Sequence, residues 1–326
     1  MTSEIDNSKI YNSKITTGNS NSNNNNNTTN KTTLLFSSMG DRPDVLSTWL
    51  GCNRDYILFI VTYTKDLSPE MIRLLDRVEH HYSHPGSKFQ NLAYYYPKIK
   101  DIYFSGNKAI KDIIVIDDDL KLSVANINQW INTHRKYKLW ISQPSFLSGS
   151  GLQVSWKITK KQPDKLLHFS TFIEMSAPMF SIEVLNQWMP DYIPVANKLA
   201  GWGVDLFYML TLYPFHSRVF AVLDQVSVEN PTRQKGVNKR IKRGSKVVRI
   251  AKKHTSGMNT LISKGERKLQ WEKIRHLQGW TEEYYPVNQS GYIDLGGNYC
   301  HEKRFFENIY LQTSQYRNYL DLLSKN

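Results

Sequence analysis

Three carboxylates stand side by side at Asp117, Asp118 and Asp119, directly after the apolar run Ile113-Ile114-Val115-Ile116. Like charges this close repel, so they need a partner or water. A divalent cation is one such partner, because hard oxygen ligands suit Mg²⁺ or Mn²⁺. A solvated acidic turn after a core strand is the other reading. A fourth acid, Glu174, lies between apolar neighbours Ile173 and Met175. It is either a core acid paired with a distant Arg or Lys, or an active-site acid with a raised pKa. His80, His81 and His84 have ligand-like spacing, but Pro85-Gly86 would break a helix there and no Cys or acid completes a zinc set.

These residues need elements to hold them. Ile113 to Ile116 reads as a strand buried on both faces. In open α/β sheets, ligands bind outside the carboxyl ends of the strands, where the aspartates fall. Leu34 to Ser38 reads as a short strand and Tyr56 to Thr64 as a stronger one. Leu46, Trp49 and Leu50 suggest one helical face between them. Ser68-Pro69-Glu70 has the chemistry of a helix start, followed by an apolar stripe at Met71, Leu74, Leu75 and Val78. A helix opens at Lys88 and runs to Pro97. Ile127, Trp130 and Ile131 mark another helix, Leu139 to Ser142 and Phe220 to Leu223 two more strands. Alternation of this kind predicts an α/β fold with a mainly parallel sheet and helices on both faces. No GxGxxG or GxxxxGK[ST] is present, which excludes the usual dinucleotide and P-loop signatures.

Composition divides the chain further. Residues 1–32 are rich in Asn, Ser and Thr, with an unbroken Asn23 to Asn27, and read as a disordered tail. Residues 33–230 form the catalytic domain in this reading, and 231–326 a basic and helical extension. The net charge is +13, and the eight Lys and Arg between Lys239 and Lys253, with no acid among them, leave +5 for the rest. Arg267 to Ile274 reads as a short helix, and Phe305 to Leu323 has helical spacing at Phe306, Ile309 and Tyr310. No apolar run approaches a membrane span and the N-terminus has no apolar signal region. Two cysteines, Cys52 and Cys300, fit a reducing compartment, and the expected location is cytoplasmic.

Four blocks occur in order: the aspartate strand end; Ile141-Ser142-Gln143-Pro144; Phe172-Ile173-Glu174-Met175-Ser176-Ala177-Pro178-Met179-Phe180-Ser181; and Gly201-Trp202-Gly203-Val204-Asp205. As a set they resemble the family called domain of unknown function 707, over about Leu34 to Val228. That family resembles nucleotide-sugar-dependent glycosyltransferases of the GT-A fold. The resemblance implies that Asp117 faces the ribose, with Asp118 beside it, and that Asp119 holds Mn²⁺ or Mg²⁺, with Asp117 in the same ligand set. It implies base and ribose binding at Ser38, Gly40 and Asp41, and a diphosphate contact from Lys88. Gly201, Trp202 and Gly203 would approach the acceptor, the Trp ring stacking on a sugar. Asp205 would be the general base, with Glu174 the other active-site acid. On geometry alone Asp205 reads equally as the N-cap of a helix over 206–212. Asn230 stands where relatives tend to place a His as third metal ligand.

The leading reading is therefore a metal-dependent transferase using a nucleotide-sugar donor and an unknown glycan or small-molecule acceptor. The alternatives are a nucleotide-sugar or glycan-binding protein without transfer, and nucleic-acid binding through 239–253. No nucleic-acid recognition motif supports the last of these.

Overall fold

The computed structural model describes residues 31–104, 109–197, 199, 201, 203–212, 218–231 and 284–310, without the side chains of 284–288 and 305–310. Residues 1–30 of the Asn-rich tail, Trp202, the basic segment and the stretches 267–274 and 311–323 lie outside the described residues.

A ten-stranded sheet runs through the described chain. Its strands are β1 (Thr33–Met39), β2 (Tyr56–Thr62), β3 (His80–Ser83), β4 (Asp112–Val115) and β5 (Ile141–Phe146). They are followed by β6 (Lys165–Ser170), β7 (Met179–Ser181), β8 (Phe220–Val228), β9 (Tyr284–Asp294) and β10 (Tyr299–Tyr310). The spatial order is β10-β9-β6-β8-β5-β7-β4-β1-β2-β3. The four parallel pairs are β1–β2, β1–β4, β2–β3 and β5–β8. The five antiparallel pairs are β9–β10, β4–β7, β5–β7, β6–β8 and β6–β9. The sheet is thus rich in parallel strands, as expected, but mixed: β7 enters antiparallel between β4 and β5, and β5 and β8 beyond it run the same way as β1 to β4.

Helices cover both faces, as expected. Along β1, Leu34 and Phe36 face one core and Leu35 the other. The first core packs against α3 (Lys88–Tyr103), α5 (Ile182–Tyr192) and α6 (Val204–Thr211). The second packs against α1 (Pro43–Trp49), α2 (Pro69–Leu75) and α4 (Val124–Lys136). Alternating side chains of one strand feed two cores, which is why these strands read as unbroken apolar runs.

Local chemistry accounts for several boundaries. Ser68 caps α2 by accepting the Met71 N–H at 3.2 Å, with Pro69 at the first helical position. Ser87 and Gln90 form a reciprocal capping box at the start of α3. That helix does not stop at Pro97 but passes through it to Tyr103. Buried Leu92, Tyr96, Ile99 and Tyr103 hold it on the sheet despite the lost N–H. One stretch left open by the sequence is placed and one expectation is corrected. His80 to Ser83 is an edge strand, with His80 bonded to the Tyr103 hydroxyl and His81 3.2 Å from the Thr62 hydroxyl. Residues 305–310 belong to strand β10, not to a helix. Their apolar spacing is compatible with both, and register shifts beside Arg304 and Phe305 obscure the alternation of a strand.

Candidate active site

Parallel β1, β2 and β4 bring their carboxyl ends to one edge of the sheet. There the three aspartates take three different directions. Asp118 turns back to β1: its Oδ2 accepts the Gly40 N–H at 2.9 Å and the Tyr63 hydroxyl at 2.7 Å. One carboxylate thus ties together the ends of three strands. Gly40 is needed for this, since a Cβ there would lie 2.7 Å from the Tyr63 hydroxyl oxygen. Asp117 turns inward, where its Oδ1 meets the Lys88 ammonium at 2.7 Å. Asp119 makes no hydrogen bond or ion pair among the described residues, and is half-buried.

Lys88 is almost wholly buried, with a side chain 5% exposed. Besides Asp117, its ammonium donates to the carbonyls of Met175 at 2.6 Å and Ser176 at 2.8 Å. An ammonium has three donors, and all three are engaged. Lys88 was expected to reach a diphosphate; here it instead joins the end of β4 to the loop before β7. A hydrogen bond from the Asp117 N–H to the Ser176 carbonyl, 2.9 Å, closes the same joint. Burial pushes the Asp117 carboxyl up, against the pull of Lys88, while Asp119 and Asp118 push it further up. Its side chain is nonetheless 37% exposed.

Two more carboxylates flank this joint. Glu174 is 6% exposed. Its backbone N–H donates to Gln143 Oε1 at 2.6 Å, and its Oε1 accepts the Ser176 hydroxyl at 3.0 Å. Its Oε2 is buried without a hydrogen-bond partner. Burial, then the nearby Asp205, push this carboxyl up to about 7. Asp205 is 7% exposed and is held up at about 6 by burial, against the backbone N–H groups of Leu206 and Met175 that favour its charged form. The alternative reading of Asp205 as a cap is corrected. Gly203, at φ 93°, occupies the N-cap of α6, and Asp205 is the second residue of the helix. Its carboxylate still takes the first-turn N–H of Leu206, at 3.0 Å.

Other expected residues are placed differently. Ser38 accepts from the Asn91 amide at 2.6 Å and donates to the Gly86 carbonyl at 3.3 Å, which joins the end of β1 to the loop after β3. Asp41 Oδ1 takes both the N–H and the hydroxyl of Ser68, at 3.0 and 2.8 Å, and so anchors the start of α2. Gly201 has open space where a side chain would be. Asn230 follows β8, three strands from β4, a lateral offset of about 14 Å at the usual strand spacing. Its carbonyl accepts the Gln153 N–H at 2.7 Å.

Among the described residues, the carboxylate oxygens without a hydrogen bond or ion pair at this strand end include those of Asp119 and the second oxygen of Asp117. Among the described residues, no group of three or more His, Cys, Asp or Glu could hold a metal ion. Mg²⁺ is often bound by one or two carboxylates plus substrate phosphates, and the two aspartates fit that pattern.

Sequence reasoning missed Gln143 and Ser176 as supports of Glu174, and Asn91 as the support of Ser38. The first two lie inside the quoted blocks, which was the available signal. Ser142, in the same block, instead receives the Trp130 indole N–H at 2.9 Å and pins α4 to β5.

No family model matches the chain, and no curated protein matches it. The resemblance to domain of unknown function 707 rests on the quoted blocks alone. Among solved structures, residues 1–349 of S. aureus TarS align with 85% of this chain and 99% of that chain, at 8% identity and a TM-score of 0.41. The same protein in complex with UDP aligns at 7% identity and a TM-score of 0.42. In complex with UDP-GlcNAc the values are 7% and 0.38. Likeness of this size transfers no residue role. Among the described residues, no helix is long and apolar enough to cross a membrane.

Proposed function

We propose that the chain is a glycosyltransferase with a GT-A arrangement, related to domain of unknown function 707. It takes a nucleotide-sugar donor and a glycan or small-molecule acceptor. The observation that carries this reading is the convergence of Asp117, Glu174 and Asp205 on Lys88, from three separate parts of the chain. They meet beside the carboxyl ends of parallel strands, where ligands of open α/β sheets bind.

Asp117, partly exposed at the end of β4, faces the ribose. Asp119 holds Mg²⁺ or Mn²⁺, with the outer oxygen of Asp117 able to join it. When bound, such a cation supplies Lewis-acid neutralisation of the leaving diphosphate. Asp205 takes the proton of the attacking acceptor hydroxyl, because backbone N–H groups favour its charged form. Glu174, with no such donors on Oε2 and its carboxyl pushed up to about 7 by burial, is the acid that holds its proton longer and can donate it in a hydrogen bond to substrate. Gly201 and Gly203 flank the acceptor side.

The test is a thermal-shift screen of nucleotide sugars with and without Mn²⁺, followed by a donor-hydrolysis assay of each hit. A ligand that binds only the folded chain raises its melting temperature. Hits that require Mn²⁺ and are slowly hydrolysed are expected. Hits that are never hydrolysed or transferred would make the chain a binding protein, and a screen with no hit would remove the nucleotide-sugar reading.

A further inference from the structure

We propose that the cavity at the amino ends of β4 and β5 is a second carbohydrate site, which holds a sugar ring of an extended acceptor glycan against Trp140. Calling the glycan an acceptor rests on the glycosyltransferase reading; the sugar site does not. The cavity measures about 490 Å³ and lies between the end of α4, the start of α5 and the strand starts. Asp112 in its wall opens β4, and Asp117 stands five residues further on, about 17 Å along extended backbone. The two sites therefore occupy opposite ends of the sheet.

Three features point to a ligand here. Lys138, exposed at the cavity, has a φ of 50°. It follows α4, and a bond from the Leu139 N–H to the His134 carbonyl, 3.0 Å, closes the helix around it. Glycine takes this left-handed position without strain. A lysine works against its backbone preference there, which points to a task for its side chain. Second, His134 lines the same cavity and is 1% exposed. Ser142 Oγ accepts the Trp130 indole N–H at 2.9 Å and gives its own proton to His134 Nδ1 at 2.8 Å, which leaves the ring hydrogen on Nε2. That Nε2 has no hydrogen-bond partner among the described residues, and Asp112 Oδ1 is 3.7 Å away, too far for a bond. Asp112 Oδ2, by contrast, is held by Arg135 at 2.7 Å. A donor and an acceptor are thus left unjoined in the wall, and one hydroxyl can complete both.

Third, the exposed rim mixes its charges. Lys111 and Lys138 are cations and Glu183 an anion, with Gln187 one turn further along the same face of α5. An anion would meet Glu183 and a cation the two lysines. An apolar side chain would strip water from all three. An uncharged ring bearing hydroxyls can donate to Glu183 and accept from Lys138. Trp140 is half-buried and fixed by a T-shaped contact with Phe220, 6.3 Å between centroids, and it supplies apolar surface for the C–H side of that ring.

The experiment titrates the full chain with hexasaccharides of glucose, mannose, xylose and N-acetylglucosamine, read by calorimetry. At least one should bind, with a Kd of about 1 mM or tighter. Trp140→Ala should weaken that binding at least about tenfold. Lys138→Gly relieves the left-handed backbone, so its melting temperature should hold or rise. Its affinity for the same hexasaccharide should nonetheless fall at least about threefold, and Gln187→Ala should act alike. The glycine variant keeps the test decisive even if Trp140→Ala does not fold. A lysine that only closes the helix would give the same gain in melting temperature with affinity unchanged, and that result overturns the inference. So does a panel in which nothing binds. Binding of inorganic phosphate that Lys138→Gly abolishes, with no hexasaccharide bound, would make this an anion site and overturn it too. If a hexasaccharide binds as expected but no nucleotide sugar does, the carbohydrate site stands and the glycosyltransferase reading falls. If nucleotide sugars bind and are hydrolysed while all three variants bind hexasaccharide like wild type, that reading stands and this inference falls.

Discussion

Two buried polar clusters sit on this sheet, and they are finished to different degrees. At the first, His168 on β6 and Asp224 on β8 are both fully buried and meet at 2.7 Å. The other ring nitrogen of His168 donates to the Ile158 carbonyl at 2.7 Å, and the other oxygen of Asp224 accepts the Gln162 N–H at 2.7 Å. Every polar atom of the pair has a partner. At the second, Lys88 is as fully engaged, yet Glu174 Oε2 beside it is bare and half-buried Asp119 makes no hydrogen bond or ion pair among the described residues. A closed network stabilises one arrangement of the chain; a network with a bare oxygen and an unbonded carboxylate has capacity left for a ligand. The first cluster joins two strands. The second is where chemistry is expected.

The largest effect should come from Asp205→Asn. Asn keeps the size and can accept the Leu206 N–H, but it cannot take a proton. Transfer should fall roughly a hundredfold to ten-thousandfold while donor affinity and melting temperature stay near wild type. Transfer at the wild-type rate would put Asp205 on the structural side of the comparison and leave Glu174 as the next candidate base. Next in size is His168→Leu, which strands Asp224 without its partner. Unfolding free energy in urea should drop by about 3–5 kcal/mol, with donor affinity of the folded fraction unchanged. A loss below about 1 kcal/mol would show that the closed cluster is not a stabilising one.

The smallest effect is the most diagnostic. Burial holds Glu174 at about 7 against the ordinary 4.5, so the fold favours its protonated form. The stabilisation this brings is complete below pH 4.5 and is lost as pH rises through 7. Glu174→Gln has no proton to lose. The variant should match wild type near pH 4 and exceed it at pH 8 by up to about 3 kcal/mol, read from paired pH series of unfolding. Parallel series for the two proteins would mean that Glu174 is charged and paired in the fold.

How much of this was legible in the sequence follows from which interactions are local. β1, β2, β4 and β8 were readable because each is buried on both faces and shows as an apolar run. β3 was not, because His80-His81-Tyr82-Ser83 is a four-residue edge strand whose pattern is half-exposed. α5 was missed because nothing marks its start: Ser181 stands at the cap without making a cap bond. At the site, Asp117 stood out within a run of acids at a strand end and Glu174 as an acid between apolar neighbours, which are local signals, whereas Asp205 was marked only by the resemblance of its block. The partner of Lys88 did not stand out, since it depends on the side-by-side placement of α3, β4 and the loop before β7. The same holds for Gln143, which meets the Glu174 N–H from 31 residues away.

The pairing of β6 with β9 also bears on how the chain reaches its fold. Thr33 and Tyr56, partners in β1 and β2, are 23 residues apart, whereas Lys165 and Asp294, partners in β6 and β9, are 129 apart. Closing the longer loop costs about 1.5 kcal/mol more in chain entropy. More important is the order of synthesis. Once residue 228 has left the ribosome, β6 can pair with β8 on one side. Its other edge stays bare until residues 289–294 follow. For that interval the nascent chain displays an unpaired strand edge, the kind of surface that chaperones cover and that neighbouring chains on a polysome can capture.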